Sequence, residues 1–226
     1  MIKYRPDVDG LRAIAVLSVI IYHAKITLND SFILPGGYLG VDIFFVISGY
    51  LITSILVREM NSKSFTFSSF YLRRIRRILP ALFTVFIFTL ILGWSFLLPL
   101  TFYDLAESMI SSLFFYSNLY FHFEGLNYSA QNSLNIPLLH TWSLSVEEQF
   151  YILFPIFLLF VFRYLKKYLV QILFLGFFCS LLIADINSRI NPSFNFYILP
   201  TRGFELLMGS LLAYFETYKP MRGSIN

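Results

Sequence analysis

ILPALFTVFIFTLILGWSFLLPLTFY, residues 78–103, contains no charged side chain. A helix needs about 20 apolar residues to cross roughly 30 Å of hydrocarbon, and this stretch exceeds that length. Directly before it stands Arg73-Arg74-Ile75-Arg76-Arg77, so a dense positive charge anchors one end of the run. The reading is a transmembrane helix, and the rest of the 226-residue chain is built alike. Hydrophobic residues make up 57% and charged residues only 13%, against about a quarter charged in soluble domains. The expected fold is therefore all-α, a polytopic transmembrane helix bundle. The net charge of +4 belongs to interfacial Lys and Arg. With no basic soluble domain beside it, nucleic acid is not an expected partner.

Working outward, the expected spans are residues 10–27, 38–57, 79–98, 144–163, 168–186 and 196–215. A seventh stretch, 104–121, opens on Asp104 and Glu107 and is diluted by Ser108, Ser111, Ser112, Ser117 and Asn118. The positive-inside rule weighs against its crossing. Lys3 and Arg5 precede the first span and Arg12 stands at its start, and the arginine cluster lies between the second and third. If both regions are cytoplasmic and 104–121 does not cross, Arg163, Lys166, Lys167, Lys219 and Arg222 also fall inside. The loop 122–142, which lacks Lys and Arg, then falls outside. The expectation is six spans plus one re-entrant or interfacial segment, with seven spans as the alternative. Phe102, Tyr103, Tyr116, Tyr120, Tyr128 and Trp142 fit an outer aromatic belt. Tyr22-His23-Ala24 is a poor cleavage site, so the first span reads as retained rather than as a signal peptide. The lone Cys179 excludes an internal disulfide and reads as a packing residue.

Several polar residues sit in or beside these spans, where ionisable groups are costly and mark functional paths. Arg12 and His23 are eleven residues apart, which on a helix returns to within about 20° of the same face and climbs about 16 Å. Snorkelling of Arg12 and a helix-to-helix hydrogen bond from His23 compete with a functional pairing. The second span starts with Gly36, Gly37, Gly40 and Asp42 and continues to Gly49. Glycines admit a close neighbour, while Asp42 either complements the helix dipole or serves as a site acid. In the cluster, Arg73 and Arg76 share one helix face and Arg74 and Arg77 the next, a fork suited to phosphate. Topology anchoring explains the same charge. In His140-Thr141-Trp142-Ser143-Leu144-Ser145-Val146-Glu147-Glu148-Gln149-Phe150-Tyr151, Ser145 and Glu148 form a literal capping box. Glu147 lies outside that explanation and is open to a base or orienting role. Arg202 and Glu205 read first as an intramembrane ion pair and second as site residues. His23, His122 and His140 lack metal-ligand spacing, so no metal is expected.

Taken together, Arg5 to Ala15 (RPDVDGLRAIA), His23, Gly37 to Gly49 (GYLGVDIFFVISG), the arginine cluster and His140 to Tyr151 resemble the membrane-bound acyltransferase-3 family, over residues 4 to about 215. The resemblance implies an enzyme that transfers an acyl group, usually acetyl from acetyl-CoA, to a hydroxyl of a cell-envelope glycan such as an O-antigen, exopolysaccharide or peptidoglycan sugar. It implies a multi-pass protein of the bacterial cytoplasmic membrane. The family's Arg-x10-His motif falls on Arg12 and His23, and its Arg-x-x-Arg motif on Arg73/Arg76 or Arg74/Arg77. Its paired glycines fall on Gly36 and Gly37, and its Ser-x-x-Glu on Ser145 and Glu148. Catalytic candidates are His23, Asp42 and Glu148; Arg12, Arg73, Arg74, Arg76 and Arg77 are donor-binding candidates. Gly36, Gly37, Trp142, Ser145, Glu147, Arg202 and Glu205 are substrate-contacting or structural. Phe204 replaces the Trp that often precedes Glu-Leu-Leu in the family. Family members have about ten helices, and some add an SGNH esterase-like domain, so residues 1–226 are expected to be one membrane acyltransferase domain shortened at its C-terminal end. The rival readings are a transporter or flippase subunit with a charged path, and an inactive partner.

Overall fold

The computed structural model describes residues 5–28, 31–124 and 136–218. Lys3, Tyr128, Lys219 and Arg222, used above for orientation and the aromatic belt, lie outside them. In chain order the elements are α1 (Pro6–His23), β1 (Thr27–Leu28), β2 (Ser31–Phe32), a 3-10 turn Gly37–Leu39, and α2 (Gly40–Asn61). Then come α3 (Phe67–Phe96), α4 (Pro99–Leu113), α5 (Ser117–Phe123), α6 (Thr141–Tyr164), α7 (Leu169–Ile190), α8 (Pro192–Tyr197) and α9 (Leu199–Tyr218). The two strands pair antiparallel, Thr27 with Phe32 and Leu28 with Ser31.

Four segments have the length and apolar composition to cross a bilayer: Gly37–Asn61, Phe67–Phe96, Thr141–Tyr164 and Lys166–Ile190. They coincide with four of the six expected spans. The other two are helical as α1 and α9, but Asp7, Asp9 and Arg12 in the first and Arg202, Glu205 and Glu216 in the second dilute their apolar character. The helix expected over 10–27 stops at His23, because Lys25 takes a left-handed φ of 50° and the chain turns into β1. The charge-free run is split between the later part of α3 and the first turn of α4. Helix α3 begins twelve residues before Leu79, with Thr66 as N-cap accepting from the Ser69 backbone N–H at 3.4 Å, and so takes the arginine cluster into its first half. Pro80 is inside it and removes the donor that would serve the Arg76 carbonyl.

The weak stretch 104–121 is two helices, broken where Phe115 adopts φ 56°. Pro99 starts α4, a favoured place for proline. At 1.5 Å per residue α4 and α5 measure about 22 and about 10 Å, each shorter than the hydrocarbon core is thick. Leu82 and Phe86 of α3, Leu105 of α4 and Leu138 form one core, with Leu97, Met109 and Leu144 against it. Cys179 is exposed on α7, contrary to the packing role expected of it. The buried stripe of that helix runs through Leu173, Ser180 and Ala184 instead.

The chain divides into two compact units. One comprises Met1–Arg58, Phe157–Leu182 and Gly203–Asn226, the other Glu59–Ile156 and Ile183–Arg202.

Candidate functional site

The first unit holds Arg12, His23, Gly36, Gly37, Asp42 and Glu205. Helix α1 lies against the start of α2, and glycines make that approach possible. A Cβ on Gly37 would overlap the Ser18 carbonyl and meet Tyr22, and one on Gly40 would meet the Ala15 carbonyl and Val19. Gly36 has no such constraint, its nearest neighbour being Leu39 Cδ1 at 3.9 Å. The close-approach role therefore belongs to Gly37 and Gly40 rather than to the pair Gly36-Gly37. Farther along α2, Gly49 sits on the Leu206 carbonyl and Gly209 of α9 on the Val46 carbonyl, a small-residue crossing. The reading of Gly49 as a contact point holds, while its counterpart Gly209 was not anticipated.

His23 is the last residue of α1 and is exposed, whereas Arg12 is half-buried on the same helix. The ring nitrogen Nδ1 of His23 lies 2.9 Å from the Val19 carbonyl oxygen. A carbonyl can only accept, so Nδ1 donates in this bond, and in the neutral tautomer that makes it, Nε2 is the acceptor nitrogen. The Tyr22 ring meets the imidazole edge-on at 5.2 Å between ring centres and the Tyr38 ring edge-on at 5.5 Å. Asp42 occupies the first turn of α2, where a carboxylate complements the helix dipole. Glu205 is buried in α9.

A polar cluster at the start of α1 was not foreseen. The Arg5 guanidinium donates to Glu216 at 2.6 Å, to the Tyr50 hydroxyl at 2.9 Å and to Asp7 at 2.7 Å, and Tyr50 also donates to Glu216. These bonds tie the start of α1 to the middle of α2 and the end of α9. Arg5 holds the Asp7 carboxyl well below the usual carboxylate range, at about 2, because the ionised form keeps its hydrogen bonds.

In the second unit the motif around His140–Tyr151 separates into faces of α6. Thr141, Ser145 and Gln149 recur every fourth residue and bind α4 and α5. The Ser145 hydroxyl accepts from the Ser117 backbone N–H at 3.2 Å and is 2.7 Å from the Ser117 hydroxyl. Thr141 bonds Ser117 at 3.0 Å and lies 2.7 Å from the Ser112 hydroxyl. The Gln149 amide donates to the Phe115 carbonyl at 2.9 Å and to Asn118 at 2.8 Å, and Asn118 donates to the Tyr197 carbonyl at 3.0 Å. Ser145 is consequently not the N-cap of its own helix. Helix α6 starts at Thr141, one turn before the capping box requires, and Ser145 caps α5 instead.

A second face carries Glu147 and Tyr151, joined by a hydrogen bond from the tyrosine hydroxyl. Over the Tyr151 ring lies the Arg74 guanidinium, 4.8 Å from its centre and 5.7 Å from that of Phe70. Arg74 and Arg77 both lie within electrostatic range of Glu148. Glu148 itself is 6% exposed, and its Oε1 is buried with no hydrogen-bond partner among the described residues. Arg73 points elsewhere and pairs with Glu59 at 2.7 Å, while Arg76 and Arg77 are exposed. The structure thus separates the two registers that sequence left open. Tyr151, ten residues and about 15 Å into α6, is where Arg74 of α3 makes contact, so this arginine is held beside the middle of an apolar helix. On a third face Trp142, 2% exposed, packs on Phe196 and Tyr197. Arg202 donates to the Phe196 carbonyl at 3.1 Å and stacks over Phe196 and Trp142.

Comparison with known proteins adds an independent line. A family model described as an acyltransferase domain matches residues 5–225. "Peptidoglycan O-acetyltransferase OatA" of Listeria monocytogenes is 40% identical over 217 residues, an alignment that takes in 94% of this chain and 34% of that protein. "Putative peptidoglycan O-acetyltransferase YrhL" of Bacillus subtilis is 42% identical over 218 residues, 93% of this chain and 33% of the relative. "Putative O-acetyltransferase SAS0844" of Staphylococcus aureus is 40% identical over 219 residues, with 94% and 35% covered. The chain spans about a third of the length of the curated relatives it matches. No solved structure matches it.

Proposed function

Since the chain belongs to the membrane-bound acyltransferase-3 family, we propose that it carries the membrane part of an O-acetyltransferase. In this reading it moves acetyl from cytoplasmic acetyl-CoA to a hydroxyl of a cell-envelope glycan, first of all a peptidoglycan sugar, the acceptor named in two of the relatives. Its N-terminus is cytoplasmic and its place is the bacterial cytoplasmic membrane, as the distribution of Lys and Arg suggests.

The observation that carries the reading is the His23 ring. Its Nδ1 is committed to the Val19 carbonyl, which directs the basic lone pair to Nε2 and suits the ring to take a proton from a glycan hydroxyl. That oxygen then attacks the thioester carbonyl, and CoA leaves as the thiol. Exposed Arg76 and Arg77 supply guanidinium groups for the donor's phosphates, and Arg74, braced on Tyr151, sets the depth of that basic surface. Arg12 shares the helix of His23 and is assigned to the donor, while Asp42 and Glu148 are assigned to orientation. A relay through an acetylated His23 is the internal variant.

The test uses membranes carrying the protein, labelled acetyl-CoA and purified glycan. His23→Gln should insert normally and lose transfer by at least about 100-fold, the usual contribution of a general base. Transfer at the parental rate would remove His23 from the chemistry, and failure of the parent to consume acetyl-CoA would end the acyltransferase reading itself.

A further inference from the structure

His122, set aside above for want of metal-ligand spacing, has a partner in the structure. Its Nδ1 is 2.9 Å from the Ser193 hydroxyl oxygen, across the contact between α5 and α8. A serine within hydrogen-bond reach of an imidazole is the minimal arrangement for nucleophilic catalysis, with the serine as acceptor of an acyl group and the ring as its base. Both side chains are half-buried, so they are desolvated in part and still open to a substrate. Phe194 meets the His122 ring edge-on at 5.7 Å between centres and limits its rotation.

The joint between α5 and α8 does not depend on this pair. It is closed by the buried bond from Asn118 to the Tyr197 carbonyl and by Phe121 against Tyr197. Both short helices rest on the first turns of α6, through Ser117 on Ser145 and through Phe196 on Trp142. Arg74 contacts the same helix at Tyr151, about 15 Å along its axis from that start. On the six-span topology, the start of α6 faces the acceptor and the arginines face the donor.

We propose that Ser193 and His122 form a second acyl site, a covalent station between donor and glycan; the proposal rests on the acyl-transfer reading and replaces the direct attack on the thioester at His23 with two half-reactions at this pair. Ser193 Oγ attacks the carbonyl carbon of an acyl thioester as His122 Nδ1 takes the hydroxyl proton. The C–S bond breaks, the proton passes from His122 to the departing sulfur, and the products are a Ser193 acyl ester and a free thiol. In the second half a glycan hydroxyl gives its proton to His122 and attacks the ester. The C–O bond to Ser193 breaks and the proton returns to Oγ. No oxidant or reductant enters either half.

The experiment is pulse-labelling of the protein in membranes with radiolabelled acetyl-CoA, glycan omitted, followed by mass spectrometry of the chain. Acetyl should be found on Ser193, in a form released by hydroxylamine, and should be discharged when glycan is added. Ser193→Ala should abolish the label. His122→Asn places an amide near the position of Nδ1, preserving the tether but not the base, and should cut labelling about 100-fold with unfolding unchanged. A structural tether predicts no loss in His122→Asn, so parental labelling of that variant overturns the proposal even if Ser193→Ala does not insert. Parental transfer by Ser193→Ala overturns it while leaving acyl transfer in place. A parent that consumes no acetyl-CoA overturns both readings together.

Discussion

Ser145→Ala separates a structural from a chemical role within the Ser-x-x-Glu motif. Two bonds end on the Ser145 hydroxyl, one from the Ser117 backbone N–H and one shared with the Ser117 hydroxyl. Both residues are at most 1% exposed. Alanine leaves the Ser117 hydroxyl with Thr141 at 3.0 Å, so that group keeps a partner. The backbone N–H in the first turn of α5 does not. A stranded buried donor costs about 1–3 kcal/mol in soluble proteins, while interhelical hydrogen bonds in membranes average about 0.6 and reach about 1.7 kcal/mol. The expected loss is therefore about 1–2 kcal/mol, a factor of about 5–30 in the folding equilibrium. Denaturant titration in micelles, followed by tryptophan fluorescence, reads it. Ser117→Ala keeps the N–H bond to Ser145 and loses the hydroxyl pair with Ser145 and the bond from Thr141. A double-mutant cycle between the two should then give a coupling of about 0.5 kcal/mol, smaller than the Ser145 effect itself. Stability within 0.3 kcal/mol of the parent, or full stability with transfer abolished, would refute the assignment and return Ser145 to the chemistry.

Gly209→Ala drives a Cβ into the Val46 carbonyl and should destabilise by about 1–3 kcal/mol, whereas Gly36→Ala, with 3.9 Å to its nearest neighbour, should be close to neutral in the same titration. Arg74→Lys loses the planar stack on Tyr151 and should raise the KM for acetyl-CoA about tenfold, while Arg73→Lys keeps its pairing with Glu59 and should change it less than twofold; equal effects would mean that the registers are equivalent. Asp7 has its folded pKa lowered from 3.8 to about 2 by Arg5. Its contribution is complete above the unfolded value and is lost as pH falls through the folded one. Asp7→Asn should therefore flatten the stability profile between pH 4 and pH 2 and leave its slope unchanged from pH 6 to 8.

The helical membrane character was legible because it depends on local composition alone. A charge-free run after four arginines admits one solution in a bilayer. Helix starts were less legible. Thr66 and the serines after it look like a loop, yet Thr66 is an N-cap, and α3 takes in residues that sequence assigned to a connecting segment. The capping box failed for the same reason, since a pattern of four residues carries no information on which helix it caps. Ser145 satisfied a neighbour 28 positions away. Pairs such as Arg5 with Glu216 or His122 with Ser193 are separated by 211 and 71 positions, and no periodicity links them. Gly49 was readable as a contact point, but its counterpart Gly209 was not, because a glycine in an apolar helix signals close approach without naming the neighbour.

The faces of α6 explain why so polar a sequence opens an apolar helix. Thr141, Ser145 and Gln149 recur every four residues and hold two helices that are each shorter than the bilayer core is thick. Their broken backbone at Phe115 needs partners that lipid cannot supply, and Gln149 supplies one to the Phe115 carbonyl. Residues on that face are consequently committed and have no capacity left for substrate. Glu147 and Tyr151 form the next face and brace Arg74, and Glu148 keeps a buried oxygen, Oε1, without a hydrogen-bond partner among the described residues. Within one motif, then, the seryl hydroxyl is consumed by architecture and the carboxylate is not. A chemical role for the motif must run through Glu148, and Glu148→Gln, isosteric and neutral, should lower transfer while Ser145→Ala lowers stability. If the two variants exchanged those phenotypes, the division of α6 into a holding face and a working face would be wrong.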